Sequence, residues 1–140
     1  MLQFDQLRSA NVTRCNNVFH SLESWTPTDW ACAMAGEVGE ACNAVKKLRR
    51  LDDGTNTAKD PQNKEDAIAA IAKELADTVI YADLLAARLG INLSDAVVQK
   101  FNEVSDRMPP HPEHGRTRLM TRDEALRIEK SFGSGASLQR

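Results

Sequence analysis

The stretch AMAGEVGEACNAVKKL, residues 33–48, decides how this chain is read. Together with Trp30 it spaces Trp30, Met34, Glu37, Ala41, Ala44 and Leu48 along one face of a helix. Glu37 is the exception on that face. An ionised carboxylate on a core stripe is costly unless something compensates it. Glu40, one turn on, stands at the edge of the same stripe, so the two acids point toward one place. Gly36 and Gly39 lie beside Glu37. Each glycine costs a helix interior about 1 kcal/mol, which predicts close approach of another helix or a ligand there.

A second stretch, AKELADTVIYADLLAARLGI at residues 72–91, repeats the pattern. Glu74 and Asp77 are again spaced i, i+3. Ile68, Ile71, Leu75, Val79, Ala82, Leu85 and Leu89 form its main stripe, and Ile80, Tyr81 and Leu84 add another apolar side. Such a circumference predicts a central, buried helix. Two helices thus each carry an acidic pair to an apolar boundary. Four carboxylates gathered there repel one another. A divalent cation relieves the repulsion, and all-oxygen ligands select a hard ion: Mg2+, with Mn2+ as a substitute.

Working outward, the pattern is helical throughout, and alternating β-branched runs are missing. A first helix is expected over 3–21, and Trp25-Thr26-Pro27-Thr28 interrupts it. The second runs over about 29–51 with Thr28 as N-cap, and a polar loop follows at 52–63. The third covers 64–90 and stops at Gly90. The fourth covers 92–107 behind an Asn92 cap, and Met108-Pro109-Pro110-His111-Pro112 breaks it. Thr121 and Glu124 read as a capping box for a short helix over 121–131, and 133–140, GSGASLQR, as a flexible tail. The fold class is all-α: a four-helix core at 1–108, then a Pro-rich break, short helix and tail at 109–140.

The segments GEVGE and KELADTVIY, in this order and spacing, resemble the MazG-like all-α NTP pyrophosphatases, a superfamily that includes dCTP pyrophosphatase, dimeric dUTPase and phage-type branches. The resemblance covers about residues 28–107. It implies hydrolysis of a nucleoside triphosphate between the α- and β-phosphates, giving the monophosphate and pyrophosphate. It assigns Glu37, Glu40, Glu74 and Asp77 to the metal, with Glu37 and Glu40 catalytic and Glu40 orienting the water. KFNEVSDR at 100–107 looks phage-like and tilts the substrate toward a purine deoxynucleotide such as dGTP. A pyrimidine substrate (dCTP or dUTP) is the alternative, and a non-catalytic helical interaction module is a further one. Similar enzymes are homodimers or homotetramers, and the apolar third helix suits a partner-facing surface.

Around the acids, Tyr81 and Arg88 share a helix face with Asp77. The resemblance makes both substrate contacts; Tyr81 also suits a core edge, and Arg88 a partner for the helix dipole. Lys100 is implied as a phosphate ligand, though a solvated lysine fits equally. Relatives carry an asparagine four residues after it; here Val104 stands there and Asn102 is the nearest substitute. Trp25 or Trp30 suits base stacking, and Trp30 equally suits the core.

Composition excludes other classes. The 140 residues carry 18 Lys plus Arg against 20 Asp plus Glu, a net charge of −2, which argues against a nucleic-acid partner. Cys15, Cys32 and Cys42 are an odd set without metal-ligand spacing, read as reduced thiols of a cytoplasmic protein. The sequence has no membrane-length apolar run and no apolar signal core. A ferritin-type di-iron centre needs Glu-x-x-His, and no histidine follows the four acids at that spacing. His111 and His114 lack a third zinc ligand in sequence.

Overall fold

The computed structural model describes the backbone of residues 3–133 and the side chains of residues 3–129. The tail residues 134–140 lie outside that range. Helix α1 spans Phe4–Arg14 and continues into a π-turn, Cys15–Phe19, and Leu22–Ser24 form a short 3₁₀ turn. Then come α2 (Pro27–Asp52), α3 (Lys64–Arg88), α4 (Leu93–Arg107) and α5 (Arg122–Gly133). The all-α class holds: among the described residues the only β pairing is an isolated bridge between His111 and Gly115. The chain forms two units, Met1–Ile91 and Asn92–Arg140.

In the first unit α2 and α3 form a helical hairpin, and α1 packs on α3. The start of α2 differs from the expectation. Thr26, not Thr28, is the N-cap: its Oγ1 accepts the Asp29 N–H at 3.3 Å while Asp29 Oδ2 accepts the Thr26 N–H at 2.9 Å. Pro27 then occupies the first helical position, where the N–H it lacks would have had no helical partner. The proline that reads as an interruption is part of the start signal. The end of α3 follows the glycine rule. Gly90 takes a φ of 67°, the Ile91 N–H reaches the Ala86 carbonyl at 2.8 Å, and the Gly90 N–H reaches Ala87 at 3.1 Å.

The connection from α2 to α3 is pinned from within. Asp60 is buried; its carboxylate accepts bonds from the Arg50 guanidinium, from the Thr57 N–H at 2.9 Å and from the Thr57 hydroxyl at 3.0 Å.

The core gathers Cys15, Leu22, Trp30 and Leu84, with Val12, Trp25, Tyr81 and Leu85 packed against them. The expected stripe of α2 is borne out: Trp30, Ala41 and Ala44 are buried. The expectation for α3 is corrected. Ile68, Leu75, Val79 and Leu89 are 46–55% exposed, because α3 turns Leu84 and Ala86, not this stripe, into the core of the unit. Of the glycine expectation, the approach of another helix is not met within the described residues: nothing lies within 4 Å of a Cβ built at Gly36 or Gly39.

In the second unit Asn92 caps α4 by accepting the Asp95 N–H at 3.2 Å. Asn102, buried in α4, clamps the backbone of Leu119 with both amide atoms, at 2.9 and 2.8 Å. The Thr121–Glu124 capping box opens α5.

Candidate active site

The hairpin brings the acidic motifs together. Carboxylate oxygens of Glu37 on α2 and of Glu74 and Asp77 on α3 all lie within 4.8 Å of one another, and the three side chains are half-buried. Glu40 is exposed and outside this trio, yet close enough to act on it. Burial pushes the Glu37 carboxyl above its ordinary range, and the charges of Glu40, Asp77 and Glu74 push it further. Among the described residues no lysine or arginine forms an ion pair with any of the four. Oxygen-only donors, converging and mutually repelling without a counter-charge, fit a hard divalent cation.

Beside the trio a cavity of about 320 Å³ opens between α1, the π-turn and α3, with Asp77 in its wall. Trp25, Trp30, Tyr81, Phe19 and His20 supply aromatic lining. Ring centroids run in sequence: His20–Trp25 at 4.6 Å, Trp25–Trp30 at 4.7 Å and Trp30–Tyr81 at 6.3 Å. Trp30 is fixed by donating its indole N–H to the Leu22 carbonyl at 3.2 Å. It is a core residue, as one sequence reading has it, and also a wall of the cavity. Tyr81 likewise packs on the core and lines the cavity.

A buried polar network holds α1 to α3 behind this cavity. Asp83, 1% exposed, accepts from Arg8 Nε at 2.8 Å and from Asn11 Nδ2 at 3.2 Å. Asn11 also donates to the Ile80 carbonyl at 2.9 Å and accepts from Arg14 at 3.2 Å.

The remaining candidates have partners of their own. Arg88 donates to the Trp25 carbonyl at 3.1 Å and pairs with Glu23 at 3.1 Å, so it steadies the segment that carries Trp25. Lys100 and Asn102 belong to the second unit; there Lys100 pairs with Glu103 at 3.1 Å and Asn102 makes the Leu119 clamp. Sequence reading missed Asn11, Arg14, Cys15, Phe19 and His20. One signal was available: Asp83, an acid amid Ile80, Tyr81, Leu84 and Leu85, announces a partner elsewhere in the chain.

The class that fold and site define is an all-helical hairpin with a carboxylate trio beside an aromatic cavity. No family model matches the chain. Among curated proteins it is similar to dCTP pyrophosphatase 1 of Mus musculus and of Rattus norvegicus, at 29% identity over 109 residues in each case. The alignment covers 75% of this chain and 61% of each relative. The chain is therefore a distant homologue of dCTP pyrophosphatase 1, in line with its resemblance to the MazG-like all-α NTP pyrophosphatases. No helix among the described residues is long and apolar enough to cross a membrane.

Proposed function

We propose that this chain is a Mg2+-dependent nucleoside triphosphate pyrophosphohydrolase that releases pyrophosphate and the nucleoside monophosphate. The observation that carries the reading is the shared position of Asp77, which belongs to the carboxylate trio and to the aromatic cavity alike. A nucleotide has the same two halves, a polyanion that travels with magnesium and a flat base.

Glu37, Glu74 and Asp77 would hold the cation, with Glu40 at its exposed side. Bound there, the cation supplies charge neutralisation to the phosphates and acidifies water. Glu37 is assigned with Glu40 to catalysis, and Glu40 is the residue we assign to orienting the attacking water. Trp25, Tyr81 and His20 would bind and orient the nucleoside; stacking of a base on an aromatic ring contributes about 1–3 kcal/mol. Phosphate contacts by Arg88 and Lys100 remain part of the proposal, although each has an acidic partner in the structure. The relatives' name supports dCTP; the phage-like KFNEVSDR segment supports a purine deoxynucleotide such as dGTP.

We assign the working form to a homodimer or homotetramer. The exposed Ile68, Leu75 and Val79 on α3, with Val38 and Val45 on α2, support it, because apolar residues grouped at helical spacing on a surface mark contact sites. The test of the function is pyrophosphate release from eight ribo- and deoxynucleoside triphosphates with magnesium. Orthophosphate and a diphosphate as products would sink the reading. Light scattering at micromolar concentration tests the assembly; an active monomer overturns it.

A further inference from the structure

We infer that Arg14 reads the base, and that it selects nucleotides whose base presents two adjacent hydrogen-bond acceptors: guanine through O6 and N7, or cytosine through O2 and N3. The inference rests on the nucleotide reading of the cavity and deepens it.

Arg14 lines the cavity at the end of α1 and is itself exposed. Its guanidinium has one tie within the chain. One terminal nitrogen donates to Asn11 Oδ1 at 3.2 Å, and Asn11 is locked by Ile80 and by Asp83. Asp83 in turn is held by Arg8 at 2.8 Å. Among the described residues that single bond is the only one Arg14 makes through its side chain, so most of its five N–H donors are left for a ligand.

The cavity's other polar groups are more committed. The Asn11 amide nitrogen already has two acceptors. His20 Nδ1 is engaged with the Ser21 carbonyl at 3.1 Å and the Ser24 hydroxyl at 3.0 Å. Asp77 stands with the metal-binding acids. The Tyr81 hydroxyl both donates and accepts, so it discriminates little. Arginine cannot accept, and its fork fits paired acceptors. Adenine sets an amino donor beside N7 and beside N1, and thymine sets N3–H between its two carbonyls. Neither offers the fork two adjacent acceptors.

The test has two arms on the full-length protein. In the first, pyrophosphate release with magnesium gives kcat/KM for dGTP, dCTP, dATP and dTTP. In the second, dGMP, dCMP, dAMP and dTMP are titrated without metal and followed by quenching of Trp25 and Trp30 fluorescence. The parent is expected to favour G or C nucleotides over A and T by about tenfold or more; which of the two leads identifies the edge that is read. R14Q should bring the ratio near one in both arms, and R14K should do the same, because an ammonium lacks the fork. Both variants should melt with the parent, the side chain being exposed. A preference for dATP or dTTP overturns the inference. So does an equal loss for all four nucleotides in R14Q with recovery in R14K, which would place Arg14 on phosphate. If no triphosphate is hydrolysed, the hydrolase reading fails by itself, and the monophosphate arm still decides the base.

Discussion

Asp83 and Glu37 face each other as opposites. Asp83 is almost sealed from solvent, and every oxygen it has is answered: Arg8 on one, Asn11 on the other. Glu37 is only half-buried, yet its neighbours are more acids and its proton affinity is raised. Depth of burial does not separate the matched acid from the unmatched one here. The sign of what surrounds it does. Asp83 is matched within the chain and contributes to the fold; Glu37 meets no cation among the described residues, which is what the proposed metal site requires.

The largest effect expected from this contrast is on catalysis. Glu37→Gln keeps shape and removes charge. Loss of an outer-shell partner of a metal site costs about 10–100-fold, and removal of a ligand should exceed that in pyrophosphate release. Stability without magnesium should hold or rise, since a repelled charge has gone. Magnesium should raise the melting temperature of the parent and much less that of the variant. If Glu37→Gln unfolds the protein with and without magnesium, the two acids are alike and the contrast collapses.

Asp83→Ala should behave in the reverse sense. It strands Arg8 and Asn11, and breaking one side of a buried ion pair costs about 3–5 kcal/mol. Arg8 is part-exposed and can turn to solvent, so the lower end of that range is expected. The melting temperature should fall by about 6–12 °C for a chain of this size, whatever the magnesium concentration. A variant that melts with the parent would show that α1 is held to α3 without Asp83, by packing and the Asn11–Ile80 bond.

The smallest effect concerns Asp60. The Thr57 backbone bond, ahead of the Thr57 hydroxyl and Arg50, holds its carboxyl below the ordinary range. The proton is bound more weakly in the folded state, so this acid stabilises the fold above the ordinary aspartate pKa. That contribution fades as pH falls through the lowered folded value. Comparing acid melts of the parent and Asp60→Asn should show the parent's advantage at neutral pH starting to decline at about pH 4, where unfolded aspartate takes up its proton, and gone once the pH is below the lowered folded value. An advantage that persists at lower pH would mean that packing, not charge, pins the loop.

The sequence carried the helices because helix signals are local. Asn92 with Asp95, Thr121 with Glu124 and Gly90 act within a turn of themselves, and Glu37 betrays itself by interrupting a stripe. The Thr26 cap was misplaced because Pro27 reads as a breaker unless its position in the first turn is known. The cavity was not legible. Its α1 wall consists of Asn11 and Arg14, polar residues without periodicity. Their meaning comes from Ile80 and Asp83, which lie 69 and 72 residues away from Asn11. Exposure of the α3 stripe was likewise hidden, because periodicity gives the apolar faces of a helix but not how many neighbours one chain can supply.

The π-turn at Cys15–Phe19 has a consequence of its own. A π-turn is an α-helix carrying one residue too many, and each residue advances a regular helix by about 100°. Remove one residue between Cys15 and Phe19, and everything that follows rotates by that step relative to α1. Asn11 and Arg14 on α1 then no longer line the cavity opposite His20, Trp25 and Trp30. The shape of this cavity is therefore governed by chain length at one point more than by residue identity. Divergence among proteins of this kind has an inexpensive route there: a single codon gained or lost turns the α1 wall of the cavity relative to the acids on α2 and α3.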